Sequence, residues 1–124
     1  MKNSQSKEDY LESILLLSRE LEDVHQIEVA RRMGVSQPAV QKAIKLLIAD
    51  GYITVDGLHL HFTEQGRAYA EEVYDRHCTI RRFLELHGVN SADADADACK
   101  LEHELSAASY DMMKKFVGER DKKA

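Results

Sequence analysis

Residues 27 to 51 read IEVARRMGVSQPAVQKAIKLLIADG, and this stretch decides the fold. Ile27, Val29, Ala30 and Met33 recur at helical spacing over a short run that Gly34 stops. Ser36 then stands as an N-cap, and Pro38 falls in the first turn, where a missing N–H costs nothing. Val40, Ala43, Ile44, Leu47 and Ile48 form one apolar stripe that ends at Asp50-Gly51. Two helices joined by a tight turn containing Gly make a helix-turn-helix, whose second helix enters the major groove of DNA.

Working outward, Tyr52 to Val55 is β-prone and Asp56-Gly57 is a hairpin signal, after which Leu58, Leu60 and Phe62 alternate with His59, His61 and Thr63. This is a two-stranded wing. Upstream, Leu11, Ile14, Leu15 and Leu21 mark a first helix from Lys7 to about Leu21, with Leu17 on a flank and Glu8, Asp9, Glu12 and Arg19 opposite. Downstream, Thr63 caps a long helix from Glu64 to Leu86 that Gly88 closes. Asn90 or Ser91 opens a segment rich in Ala and Asp that passes into a helix around Cys99 to Leu105, then an amphipathic stretch through Met112, Met113, Phe116 and Val117. The tail GERDKKA reads as frayed. The fold class is therefore mainly α: a winged helix-turn-helix DNA-binding domain over residues 1–70, then a helical dimerisation domain over residues 71–124. Ile80, Phe83, Leu84, Met112, Met113 and Phe116 are too many large apolar residues for so short an extension unless a second copy covers some, which predicts a homodimer.

At 124 residues, 44% hydrophobic and 31% charged with one Pro, the chain has the profile of a soluble helical protein. No apolar run reaches the roughly 20 residues of a membrane span, and the start MKNSQSKEDY lacks an apolar signal core, so a cytoplasmic location and no membrane partner are expected. Cys78 and Cys99 in that compartment are poor disulfide candidates. The net charge of −5 argues against nucleic acid until it is divided by segment. Residues 26 to 50 carry four bases against two acids, whereas residues 1 to 25 carry three against six and residues 51 to 124 ten against fourteen. The one basic window coincides with the helix-turn-helix and can bind phosphates.

On the reading helix Ser36, Gln37, Ala39 and Gln41 are short or polar near the N-terminus, beside Pro38, and free to face base edges because Val40, Ala43, Ile44 and Leu47 must face inward. Gln can pair bidentately with adenine and Ala can touch a thymine methyl. Arg31, Arg32, Lys42 and Lys45 suit phosphates, which supply affinity rather than sequence choice. The competing reading of this region is a protein-interaction scaffold; the basic window favours DNA. His59 and His61 share a strand face and could chelate a metal, but a solvated or DNA-facing wing is the simpler reading.

Three further groups carry metal-ligand chemistry. Asp9 and Glu12 are three apart on one helix edge. Cys99, Glu102 and His103 stand at i, i+3 and i+4, within about a 100° arc of a helix. His77 sits in the middle of the long helix. Carboxylates with imidazoles and one thiolate suit a divalent first-row metal and are too oxygen-rich for a closed structural zinc site. Each group taken alone is more simply a solvated or packed feature, and only the joint arrangement points to metal.

Five segments, EDYLESI at 8 to 14, VSQPAVQKAIKLLIADGYI at 35 to 53, FTEQGRAYA at 62 to 70, RHCTIRRFL at 76 to 84 and ACKLEHELS at 98 to 106, resemble in order the diphtheria toxin repressor and manganese transport regulator family. The resemblance covers nearly the whole chain, in a two-domain form without the SH3-like third domain. It implies a metal-dependent repressor of metal-uptake genes, bound to double-stranded DNA at a two-fold operator, with Asp9, Glu12, His77, Glu102 and His103 holding Mn2+ or Fe2+; Co2+, Ni2+ or Zn2+ can substitute in vitro. The resemblance also places Cys99 among the metal residues: the iron-sensing branch has a cysteine there and the manganese-sensing branch a glutamate. Asp9 matches the manganese branch. Arg81 stands where iron-sensing members use a glutamate for an ancillary site, so no such site is expected. A second reading is a winged-helix dimer answering to a small molecule. An enzyme, using Glu102 or Glu104 as base, is disfavoured by the lack of oxyanion donors, a Gly-rich phosphate loop or a substrate-pocket signature, so neither catalysis nor a small-molecule substrate is expected.

Overall fold

The computed structural model describes residues 2–123, with side chains for residues 5–122. The elements in chain order are α1 (Lys2–Glu20), α2 (Gln26–Met33), α3 (Gln37–Ala49), β1 (Ile53–Asp56), β2 (His59–Phe62), α4 (Glu64–Leu86), α5 (Ser91–Leu101) and α6 (Ala107–Lys123). They fall into two compact units, Met1–Glu72 and Val73–Ala124.

In the first unit α1, α2 and α3 pack on one another and α3 on β1. The buried side chains include Leu11, Ile14 and Leu15 of α1, Val29 of α2, Val40, Ile44 and Leu47 of α3, with Ile53 and Leu60 from the wing; Leu17, read as flanking, is also buried, whereas Ile27 is 37% exposed. Gly34 ends α2 in the left-handed region at φ 67°, a conformation that costs a side chain free energy and glycine nothing. Ser36 Oγ accepts from the Ala39 N–H at 3.2 Å, the cap that starts α3. The wing is an antiparallel pair in which Asp56 faces His59, so Gly57 and Leu58 form the two-residue loop. A hydrogen bond from Leu60 N to Val24 O, 2.8 Å, ties the wing to the α1–α2 connection.

The junction of the wing with α4 is close-packed. Thr63 Oγ1 accepts from the Gly66 N–H at 2.9 Å and donates to the Gly51 carbonyl at 2.7 Å, while Thr63 N donates to Tyr52 O at 3.0 Å. A Cβ on Gly66 would overlap the Tyr52 carbonyl group, so this position excludes every side chain.

Several boundaries differ from the sequence reading, each for a local reason. α1 begins at Lys2 rather than near Lys7, and Leu21 lies past its end, 38% exposed, instead of completing its stripe. Ile48 projects outward from α3 because it lies about 100° around the helix from Leu47. Leu58 is 78% exposed because it occupies the hairpin loop, not a strand. The Ala/Asp segment is itself helix α5, started by Asn90, whose Oδ1 accepts from Asp93 N at 2.9 Å; alanine's high helix propensity carries it on. α5 stops at Leu101, with Glu102 as C-cap. Within the tail, α6 runs to Lys123, and Arg82 of α4 holds Asp121 through Nε and Nη2 at 3.3 and 3.0 Å. In the second unit Val73, Ile80, Ala94 and Ala98 are buried. Ile80 is thus core within one chain, while Phe83, Leu84, Met113 and Phe116 stay partly and Met112 largely accessible.

Candidate metal centre and nucleic-acid interface

Every residue assigned to DNA lies on the surface of the first unit, on the end of α2 and along α3 from its N-cap to Lys45. Arg31, Arg32, Ser36, Gln37, Pro38, Ala39, Gln41, Lys42 and Lys45 are all exposed, while Val40, Ile44 and Leu47 face inward. The helix therefore presents its polar N-terminal face as the period requires. One of the phosphate candidates is tied down: Arg32 Nη1 donates to Glu20 Oε2 of α1 at 3.0 Å, so part of its charge is already matched. On the wing, His59 Nδ1 lies 3.4 Å from Asp23 Oδ1, its ring centroid 4.7 Å from that of His25 and 6.4 Å from that of His61. Among the described residues no grouping of three ligand atoms forms there.

The second unit brings four of the six expected metal residues together. His77 projects from α4 and is 7% exposed; Cys99 lies in the last turn of α5, Glu102 is its C-cap and His103 follows in the turn. Glu102 is 1% exposed. Its Oε1 is 2.8 Å from His77 Nδ1, and the Cys99 Sγ is 3.8 Å from the same nitrogen. His103 Nε2 stands 3.8 Å from Glu102 Oε2, beyond hydrogen-bond range. Asp9 and Glu12 lie in the first unit, three apart on α1 and half-buried.

Glu102 Oε2 is the observation that tests whether a cation fits. It is buried with no hydrogen-bond donor among the described residues. A buried acceptor left without a donor costs about 1–3 kcal/mol, and more when it carries charge. A fold that keeps such an oxygen beside two imidazoles and a thiol has a donor set for a divalent first-row metal: hard carboxylate, borderline imidazole and one soft sulfur. The residues present fit the group.

Sequence reasoning missed Asp95. Its Oδ1 is 2.8 Å from His77 Nε2, and His77, Asp95 and Cys99 offer ligand atoms within 4.8 Å of one another. The signal was available, since Asp95 and Cys99 are i and i+4 on α5 and so share a face. The Ala/Asp run carries no large apolar residue to mark a helical face, so the alignment of Asp95 with Cys99 does not announce itself.

Residues 2–58 match the family model of the iron dependent repressor N-terminal DNA binding domain, and residues 63–123 that of the iron dependent repressor metal binding and dimerisation domain. The transcriptional regulator MntR of Escherichia coli is 35% identical over 111 residues, covering 89% of this chain and 72% of that protein. Among solved structures, the metal-dependent transcriptional regulator MtsR superposes with a TM-score of 0.84 at 32% identity, and the manganese regulator SloR with 0.78 at 32%; each match covers 90% of this chain. The chain spans about half the length of those two, 53% in both cases. With a helix-turn-helix read from its caps and turns, a donor cluster that fits a divalent metal, and these matches along its length, the chain belongs to the iron-dependent repressor family of metal-dependent transcriptional regulators.

Proposed function

We propose that this chain is a cytoplasmic repressor that binds a two-fold operator as a homodimer and silences metal-uptake genes when Mn2+ or Fe2+ is bound. In this reading residues 1–70 are the DNA-binding domain and residues 71–124 the dimerisation and metal-binding domain; there is no catalysis and no small-molecule substrate. Gln37, Ala39 and Gln41 read base edges, Ser36 and Pro38 set the start of the reading helix, and Arg31, Arg32, Lys42 and Lys45 hold phosphates. No described helix is long and apolar enough to cross a membrane, in keeping with that location. Leu84, Met112, Met113 and Phe116 form the partner-facing surface.

The buried carboxylate of Glu102, with one oxygen unsatisfied beside His77, His103 and Cys99, carries the proposal. Asp9 and Glu12 complete the ligand set on the strength of the family resemblance. When bound, a divalent cation supplies positive charge to carboxylates that otherwise repel one another. Neutralising these carboxylates would bring a stiffening of the protein around the site. In a two-fold dimer that stiffening fixes two α3 helices near one DNA turn apart, about 34 Å. Allosteric coupling of about 1–3 kcal/mol corresponds to a 5- to 150-fold change in DNA affinity.

The test starts from EDTA-stripped protein and a duplex enriched by it from a randomised pool in the presence of Mn2+. Mn2+, anaerobic Fe2+, Co2+ and Zn2+ are then titrated while DNA binding is followed by fluorescence anisotropy. Tightening within that range by Mn2+ or Fe2+ is expected. Failure of every metal to tighten binding several-fold, or of any duplex to be enriched, overturns the proposal.

A further inference from the structure

His77 presents a choice that its surroundings resolve. Both ring nitrogens face a carboxylate oxygen at 2.8 Å: Nδ1 faces Glu102 and Nε2 faces Asp95. One imidazole gives a metal only one nitrogen, and the other nitrogen then carries a proton that needs an acceptor. We propose that Asp95 is that acceptor: a positioning carboxylate that takes the Nε2–H of His77, fixes the ring and its tautomer, and leaves Nδ1 as the metal-binding nitrogen. The inference rests on the metal-site reading above and names a residue that the family resemblance does not supply.

The two sides of the ring differ in three ways. On the Nδ1 side the Glu102 carboxylate and the Cys99 sulfur converge, and Glu102 retains a buried oxygen with no donor. On the Nε2 side stands Oδ1 of Asp95, on a side chain that is half exposed. That same Oδ1 lies 3.7 Å from Arg81 Nη1, so a guanidinium already stands where a second cation would have to approach. A positive charge at this distance opposes a metal cation at Asp95 while leaving its oxygen able to accept a hydrogen bond. Both partners are delivered by helix period. Arg81 is one turn beyond His77 on α4, and Asp95 is one turn before Cys99 on α5, so two i, i+4 pairs interlock around the ring. Tyr74, stacked at 11° with its centroid 6.3 Å from that of His77, restrains the ring plane from another direction.

Carboxylate partners of metal-bound histidines are worth roughly 10–100-fold in metal affinity. In the full-length chain, Asp95→Ala should therefore weaken Co2+ and Mn2+ binding by about that factor in competition titrations, with metal stoichiometry and the Co2+–thiolate absorption band retained. Asp95→Asn keeps an oxygen that accepts the Nε2–H and should recover most of the loss. Long-range 1H–15N spectra of the Zn2+-loaded wild type should show His77 metallated at Nδ1 and protonated at Nε2. Metallation at Nε2, or a change in stoichiometry in Asp95→Ala, would make Asp95 a direct ligand and overturn the inference. So would Asp95→Ala binding metal within twofold of wild type, and a lowered melting temperature at unchanged affinity would reduce Asp95 to a packing role. If the wild type itself binds no metal, the parent reading fails with it; if the wild type binds and only the variant result disagrees, the parent reading stands.

Discussion

Replacing Glu102 by Gln separates a metal ligand from a structural residue. The side chain is 1% exposed, one oxygen bonds His77 and the other has no hydrogen-bond donor among the described residues. Without metal the carboxylate is a burden on the fold, so removing its charge offsets much of what the altered contact to His77 costs, and the variant should lie within about 1 kcal/mol of wild type in EDTA. With metal the two diverge. Wild type in free Mn2+ at a hundred times its Kd gains about 2.7 kcal/mol. A variant whose affinity has fallen a hundredfold gains about 0.4 kcal/mol under the same conditions, by the same relation. The stability gap between the proteins should therefore widen by about 2 kcal/mol on passing from EDTA to Mn2+, roughly 1 M in urea midpoint for a slope near 2 kcal/mol/M. The chain has no Trp, so far-ultraviolet circular dichroism is the suitable signal. A gap that is the same with and without Mn2+ would refute the reasoning and leave Glu102 a structural residue.

Other expectations follow from single contacts. Gly66→Ala drives a Cβ into the Tyr52 carbonyl and disturbs the Thr63 cap, and should cost roughly 2–4 kcal/mol in urea unfolding, from one lost cap and strain at the wing junction; a loss below about 0.5 kcal/mol would show that the junction relaxes freely. Lys45→Ala should weaken binding to all duplexes alike and lower the slope of log affinity against log salt by about one, whereas Gln41→Ala should relax preference at one base pair with the slope unchanged; exchanged phenotypes would reverse the assignment. Cys99→Glu exchanges a soft ligand for a hard one and should raise affinity for Mn2+ relative to Co2+ and Zn2+; an unaltered metal order would show that the thiolate does not set selectivity.

The first unit was legible because its determinants are local. Ser36, Gly34, the Gly57 loop and the bond from Gly66 N to Thr63 each act within a few residues, and the φ of 67° at Gly34 and the caps at Ser36 and Thr63 are what such residues produce. What escaped was non-local. The pairing of Arg32 with Glu20 spans twelve residues and two helices, and no period announces it. The outward turns of Leu58 and Ile48 depend on a loop register and on one step around a helix, where hydrophobicity alone is silent. In the second unit the spacing of Cys99, Glu102 and His103 was readable, but the near-complete burial of Glu102 was not, since burial belongs to the environment and not to the spacing.

That burial is also where the local rules break down in an instructive way. A sequence selected only for stability would not put a carboxylate at the C-cap of α5, near the negative end of the helix dipole, and then deny one of its oxygens a donor. Met or Leu there would fill similar volume without that cost. The opposite choice appears at α3, where Ser36 caps, Pro38 starts the turn and three apolar side chains are buried, each level agreeing with the next. The conflict at Glu102 is thus one that a bound cation would relieve. A repressor that responds to metal needs such a site, because a ligand shifts an equilibrium only by its differential affinity for two states. An oxygen already satisfied in the metal-free protein would leave less of that difference to exploit. His77 obeys the same logic from the other direction: with Asp95 holding one nitrogen, only the other is left to respond.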